Sequence, residues 1–299
     1  KVEVTDGSIQ ALRAETIGLD AILREMDHSG LPSYRPEPLS QRFSGWAFPE
    51  KLPRYDSSEI IVLENDHTEV WVAPALSGAI IRWHDKATGQ ELFGDVVNQP
   101  DPYRFITYQE WATGGSDAPE TPVSSTYKVW EHVPNRSITL CATTDNGLVL
   151  ERVLRLQPGG SGIDIAVTVT NETDEAQPPR LKLHPEFHTL DSVHPRIMIE
   201  QGGEWIDHNR LRRKYYQLTD GRLLPCEDTS RWAYHVPGKD LAVVNEFDPE
   251  HVANLFYFVG VFPYRFHVNL ELFMDDAPLA PGESRSIRSS YKVIPGMAF

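Results

Sequence analysis

From about residue 58 onward, the chain consists of short stretches in which apolar and polar residues alternate. The clearest covers residues 163–169, where Ile, Ile, Val and Val alternate with Asp, Ala and Thr. A period of two is typical of a β-strand with one buried face, and turn-forming Gly, Asp, Asn and Pro residues separate the stretches. The predicted strands are SEIIVLEN, TEVWVAP, GAIIRWHD, TYKVWEH, RSITLCAT, GLVLERVLRLQ and GIDIAVTVTN, followed by residues 181–190, 196–200, 241–246, 254–261, 265–273 and 284–294.

The number and spacing of these strands predict one large all-β domain over residues 56–299. Many short strands in succession, with little helical periodicity after residue 60, favour a large antiparallel β-sandwich. Residues 1–55 differ, since residues 2–26 fit one strand and a short helix and residues 29–57 are rich in Pro. We interpret residues 1–55 as a lead-in or linker segment, or as the edge of a neighbouring domain.

Two of the predicted strands carry an unusual polar face. In residues 181–190, His184, Glu186 and His188 occupy alternate positions. Alternate side chains leave a strand on the same side, so these ionisable groups would share one face while Leu and Phe residues occupy the other. We expect this face to be either a reaction site, a metal site or the solvated side of a sheet.

Residues 265–273 repeat this arrangement, with an apolar face and a face made by Arg265, His267, Asn269 and Glu271. If both strands lie in one sheet, the two polar faces would line a common groove that suits the hydroxyls of a sugar ring. The alternative is an ordinary solvent-exposed face, which half-buried antiparallel strands commonly have. Aromatic residues available for stacking on a sugar are Trp111, Trp130, Trp232 and Tyr264.

A metal site is less favoured by the spacing. His184 and His188 would lie about 13 Å apart along a strand, which is too far for both to bind one zinc ion directly. We therefore predict neither a metal nor a cofactor.

Residues 110–122 are predicted to form a Gly-containing rim loop on which Glu110, Trp111 and Asp117 face the ligand. The sequence does not support a phosphate-binding loop here, because the strand–helix context and the later Lys are missing.

Charge narrows the classes of partner. The 299-residue chain has 28 Lys and Arg against 43 Asp and Glu, a formal net charge of −15. Such a surface repels nucleic-acid backbones and anionic lipids, so we expect no nucleic-acid or membrane partner, whereas a sugar or oligosaccharide remains open. Cys141 and Cys226 are too few to form a disulfide framework, and the compartment stays open between cytoplasm and a secreted or periplasmic location.

Three stretches, in order over residues 58–299, resemble the galactose mutarotase-like superfamily, which includes the aldose 1-epimerases. GAIIRWHDKATGQELF resembles an early strand and turn of the family. VTVTNETDEAQPPRLKLHPEFHTL resembles a strand ending in Thr-Asn that is followed by a His-Pro-x-Phe-like stretch, and APLAPGESRSIRSSYKVI resembles the closing segment. The resemblance implies a large β-supersandwich and a carbohydrate substrate.

The resemblance also implies catalytic roles. The His of the second stretch is the family's general acid, and His184 matches it; a late Glu is the general base. The family's Glu precedes a Pro, where this chain has Phe262, and Glu271 lies nine residues further on as the candidate base. Ring opening needs one group to take the proton of the anomeric hydroxyl and another to protonate the ring oxygen, and we expect the two on different sides of the sugar.

The resemblance and the polar faces together give a leading hypothesis and two alternatives. The leading hypothesis is aldose 1-epimerase-like chemistry, with a carboxylate such as Glu186 keeping His184 protonated. The first alternative is a non-catalytic carbohydrate-binding or accessory domain of a larger polysaccharide-degrading enzyme. The second is a glycoside hydrolase that uses Glu186 and Glu271, which requires the two carboxylates to be about 5–9.5 Å apart. Residues expected to position sugar hydroxyls are Glu186, His188, Arg265, His267 and Asn269.

Overall fold

The structure is a computed structural model that describes residues 60–93, 107–113, 121–124, 126–188, 195–208, 212–214, 217–227, 229–236, 239–262 and 265–297. The lead-in segment proposed for residues 1–55 lies outside these ranges. The strands of the described residues are β1 Ile61–Glu64, β2 Thr68–Ala73, β3 Ala79–Asp85, β4 Gln90–Phe93, β5 Tyr108–Ala112, β6 Thr121–Pro122, β7 Lys128–Val133, β8 Ser137–Thr143, β9 Val149–Leu156, β10 Ile163–Thr170, β11 Leu181–His188, β12 Arg196–Gln201, β13 Glu204–Asp207, β14 Arg212–Lys214, β15 Gln217–Pro225, β16 Arg231–Val236, β17 Leu241–Phe247, β18 Val252–Phe262, β19 Arg265–Met274 and β20 Ser284–Pro295.

These strands form two sheets in which neighbouring strands run antiparallel. The eleven-stranded sheet has the order β1-β2-β3-β5-β11-β19-β18-β15-β14, with β4 beside β3 and β6 beside β5. The nine-stranded sheet has the order β13-β12-β16-β17-β20-β10-β9-β8-β7. A 3-10 turn, Pro249–His251, precedes β18. No helix in those ranges is long and apolar enough to cross a membrane.

The alternating pattern of the sequence explains how the sheets pack. Along β10 every second residue is buried, and the buried residues are Ile163, Ile165, Val167 and Val169. One face of each sheet therefore supplies apolar side chains to the space between the sheets, and burial of these side chains is the main driving force for folding. The predicted all-β antiparallel sandwich is confirmed.

Aromatic rings fill the centre of this core. Phe187 of β11 stacks on Phe93, with ring centroids 4.7 Å apart, and packs against Tyr234 of the other sheet at 5.3 Å. Tyr291 lies 5.8 Å from the same ring. Because Phe187 is fixed on the core side of β11, its neighbours along the strand at even-numbered positions must point to the opposite, outer face of the eleven-stranded sheet.

A buried asparagine connects β10 to the turn before β11. The side chain of Asn171 is fully buried, donates to the carbonyl oxygens of Glu175 and Leu279, and accepts from the Thr173 backbone. Residue 171 is the Asn of the Thr-Asn pair noted in the sequence. Its hydrogen bonds hold the connection that leads into β11, so this pair stabilises the start of the strand that carries His184.

Candidate functional site

Strand β11 lies at the middle of the eleven-stranded sheet, between β5 and β19. Its core side is formed by Leu181, Leu183 and Phe187, which are fully buried between the sheets. The outer face of β11 therefore carries Lys182, His184 and Glu186. The pairing of β11 with β19 sets Leu183 opposite Leu272 and Glu186 opposite Asn269, so Glu271 comes beside His184 on the same face.

Glu271 is the centre of a charged cluster on this face. Its Oε2 atom lies 2.8 Å from Lys182 Nζ, and its Oε1 atom lies 3.2 Å from His184 Nε2. The exposed fraction of the residue is 1% for Glu271, 3% for Lys182 and 7% for His184. Water screens charges poorly at such depth, so the ammonium group strongly favours the ionised form of the carboxylate.

Asn269 and Glu271 together give His184 a hydrogen-bond partner in either protonation state. Its Nδ2 atom donates to Glu271 Oε1 at 2.9 Å and lies 3.2 Å from His184 Nε2. A neutral imidazole can accept from this amide at Nε2, whereas a protonated imidazole can donate from Nε2 to Glu271 Oε1. A ring with a partner in both states is suited to proton transfer.

The side-chain oxygen of Asn269 is a hydrogen-bond acceptor on this face. Asn269 Oδ1 is buried and has no hydrogen-bond partner among the described residues. Buried polar atoms are almost always paired, and one that is not is a place where a ligand or a water donates.

Aromatic side chains border the charged cluster on two sides. The Trp111 ring stacks on the His184 ring, with centroids 4.2 Å apart and an interplanar angle of 11°, and its Nε1 donates to Gln109 Oε1 at 3.2 Å. On the other side, half-buried Phe256 and Phe258 of β18 stand opposite Glu271 and Asn269 in register, so they share the same face. Apolar rings around polar atoms are typical of sugar sites.

Two features of the structure bear on the predicted site. The acid and base candidates do not stand apart to accept a sugar between them, because the central register brings His184 and Glu271 into direct contact. In addition, Glu271 contacts His184, and Glu186 is buried two residues further along β11.

Glu110 corrects a further prediction. Residues 110–112 belong to strand β5 and not to a rim loop, and Glu110 is fully buried on the core side. There its carboxylate forms an ion pair with Arg152 Nη1 at 3.1 Å and accepts from Tyr127 Oη at 2.9 Å. Arg152 also donates to the carbonyl oxygen of Gly78. Glu110 therefore connects the two sheets and does not face a ligand on the outer face.

Because of this buried cluster, we expect the folded protein to lose stability at high pH. Burial first, and then the Glu110 charge, raise the pKa of Tyr127 well above the usual 10.0. In the unfolded chain the Tyr127 hydroxyl loses its proton near pH 10, whereas in the folded chain it keeps the proton. The contribution of Tyr127 to the free energy of unfolding is therefore fully present below pH 10 and is lost as the pH rises towards the pKa of the folded state. We expect Tyr127→Phe to reduce the slope of unfolding free energy above pH 10 by up to about 1.4 kcal/mol per pH unit, measured by urea unfolding. An unchanged slope would contradict this assignment.

The remaining predicted residues divide into three groups. For His188, Arg265 and His267 only the backbone is described, and His188 pairs with His267 across β11 and β19. Asp117 and Tyr264 lie outside the described residues. Trp232 is fully buried in the core, and Trp130 is 78% exposed on β7, at the edge of the other sheet. Of the described residues proposed for sugar stacking, Trp111 is the one that lies beside His184.

No group of three metal-ligating side chains is present in the described part of the chain. His184 and Glu271 are adjacent, but their neighbours are the amide of Asn269 and the ammonium of Lys182. An ammonium group is not a metal ligand and repels a cation. The donor set therefore favours proton transfer over metal binding.

Sequence reasoning missed Lys182 and Gln109. Lys182 precedes His184 by two positions, so the alternation that grouped His184 with Glu186 should have included it. Gln109 had no such signal, because its place opposite His184 depends on how β5 pairs with β11.

No protein-family model and no curated protein sequence matches the chain, but solved structures do. A protein from Synechocystis sp. PCC 6803 matches with TM-score 0.60 and 15% identity, over 79% of this chain and 96% of that one. A galactose mutarotase-like protein from Clostridium acetobutylicum matches with TM-score 0.55 and 12% identity, over 79% and 95%. A TPR-domain containing protein from Parabacteroides distasonis matches with TM-score 0.58 and 14% identity, over 80% of this chain and 47% of that one. At these identities the similarity shows a shared fold.

Proposed function

We propose that this chain, which has the galactose mutarotase-like fold, binds an aldose on the outer face of its eleven-stranded sheet and interconverts the two anomers. The observation that carries the proposal is the contact of 3.2 Å between His184 Nε2 and Glu271 Oε1. Trp111 and the unpaired Oδ1 of Asn269 on the same face support a sugar as the ligand.

The reaction requires two proton transfers around one carbon atom. The Glu271 carboxylate takes the proton of the anomeric hydroxyl O1, protonated His184 gives a proton to the ring oxygen O5, and the bond between C1 and O5 breaks to leave an open-chain aldehyde. After rotation about the bond between C1 and C2, His184 takes the proton back from the O5 hydroxyl, which attacks C1, and Glu271 returns its proton to O1. Both residues end in their starting states.

The close pairing of the two residues suits this chemistry. O1 and O5 are bonded to the same carbon, so an acid and a base side by side can serve both oxygens from one edge of the ring. On binding, each group exchanges its contact with the other for a hydrogen bond to the sugar. Positioning of this kind converts the proton transfers into steps within one complex.

The surrounding residues have distinct roles in this proposal. Lys182 holds Glu271 as a carboxylate, which is the form that a base needs. Trp111 covers one face of the His184 ring and fixes its orientation. Asn269 Oδ1 accepts from a sugar hydroxyl, and its Nδ2 keeps hold of Glu271.

The proposal is tested by replacing His184 with Gln. We expect the rate of anomeric interconversion of glucose or galactose, followed by polarimetry above the spontaneous background, to fall about 100-fold or more, because the general acid is lost. The matched control is His132→Gln, which changes an exposed histidine on β7 of the other sheet. Equal rates for the wild type and His184→Gln, or no catalysis by the wild type, would remove the catalytic claim.

A non-catalytic carbohydrate-binding domain is the second candidate. It is favoured by the depth of the pair, since Glu271 and His184 are only 1% and 7% exposed. The match to less than half of a TPR-domain containing protein supports it too, because there the same fold is part of a longer chain. Binding of an oligosaccharide that is weakened by Trp111→Ala, without any acceleration of anomer exchange, would identify this function.

A further inference from the structure

A cavity of about 400 Å³ lies on the outer face of the nine-stranded sheet. Strands β9, β10, β20 and β17 form its floor, so the whole sandwich separates it from His184 and Glu271. The depression arises because Ala166 of β10 lies between Val153 and Arg288 in register, and its methyl side chain leaves space between longer neighbours.

The carboxylates around this cavity are already engaged. Asp164 accepts from Gln157 Nε2 at 2.7 Å, and Glu246 contacts Lys292 Nζ at 2.7 Å. Asp248 accepts from the backbone of Glu250 at the start of the 3-10 turn. None of these acidic groups forms an ion pair with an arginine of the cavity, although their neutral donors leave the charges of Asp164 and Asp248 in place.

Two arginines of the cavity have no acidic partner. Arg155 on β9 and Arg288 on β20 flank β10 from opposite sides, and both side chains are exposed. Across the described ranges, no Asp or Glu oxygen lies within 4.0 Å of either guanidinium. Two guanidinium groups without an ion-pair partner at one depression offer hydrogen-bond donors to an anion.

We propose that this cavity binds a sugar-sized molecule that carries an oxyanion, a carboxylate or a phosphate. The planar guanidinium groups of Arg155 and Arg288 present forked donors that match either anion. Val153 and Ala166 offer an apolar floor to the C–H groups of the ring, and the volume falls in the range of small-molecule sites. This ligand site is independent of anomer chemistry at His184.

Ligand-observed NMR titrations with glucuronate, glucose 6-phosphate and glucose test this site. We expect at least one anion to bind the wild type at least tenfold more tightly than glucose, and the better anion identifies the carboxylate or the phosphate. In the double variant Arg155→Gln/Arg288→Gln this preference should disappear. Both positions are exposed, and circular dichroism verifies that the variant is folded.

Arg136→Gln is the matched control, because Arg136 is an exposed arginine in the turn between β7 and β8, outside the cavity. It should keep the anion preference. The proposal is overturned if the wild type binds the anions no better than glucose, if the preference survives in the double variant, or if Arg136→Gln loses it equally. Sugar binding at His184 would appear with all three ligands and would not depend on Arg155 and Arg288.

Discussion

Replacing Glu271 with Gln should lower kcat for anomeric interconversion by about 10²–10⁴-fold, because the general base is lost while the shape of the side chain is kept. The single oxygen of an amide at this position can still accept a hydrogen bond from Asn269 or from Lys182, which now contact different oxygens of the carboxylate. KM should therefore change much less than kcat. Rates measured by polarimetry over a range of sugar concentrations separate the two constants.

Glu151→Gln is the control for this substitution, since Glu151 is an exposed residue of β9 on the far sheet. It should retain the wild-type kcat. If Glu271→Gln retained a rate within about twofold of the wild type, Glu271 would not be the base. A loss confined to KM would instead assign Glu271 to binding alone.

Replacing Lys182 with Met should destabilise the fold by about 3–5 kcal/mol, since Glu271 would keep a buried charge without its ammonium partner. Both residues are buried, since Lys182 is 3% exposed and Glu271 is 1% exposed. Removing the charge from both residues, as in Lys182→Met/Glu271→Gln, should cost clearly less than the sum of the single changes. Urea unfolding of the four proteins gives the coupling between the residues.

The exposed ion pair between Lys86 and Glu64 provides the contrast. These side chains are 29% and 47% exposed, so Lys86→Met should cost less than about 1 kcal/mol. Equal losses for Lys182→Met and Lys86→Met, or a double variant that loses the full sum, would show that the buried pair is not coupled as described.

The fold was predictable where apolar and polar residues alternate along a strand. Strands β10, β11 and β19 follow the predicted alternation closely. Strand β16 was missed because its sequence, RWAYHV, is mostly apolar and does not alternate with polar residues. Strand β5 was missed for a different reason: the charged Glu110 occupies a core position, where Arg152 of the other sheet neutralises it.

The candidate site was predictable only in part. Alternation alone grouped His184 with Glu186 and Asn269 with Glu271, and the structure brings both groups to one face. The contact between His184 and Glu271 depends on the register of two strands about 85 residues apart in the chain, which no local pattern specifies. The stacking of Trp111 on His184 depends in the same way on the pairing of β5 with β11.

A crystal structure of the protein soaked with an aldose tests the central claim most directly, because it locates the sugar relative to the proposed acid and base. We predict a pyranose on the outer face of the eleven-stranded sheet, with O1 within hydrogen-bond distance of Glu271 Oε1 and O5 within hydrogen-bond distance of His184 Nε2. A sugar bound elsewhere on the protein, with the 3.2 Å contact between His184 and Glu271 still intact, would contradict it.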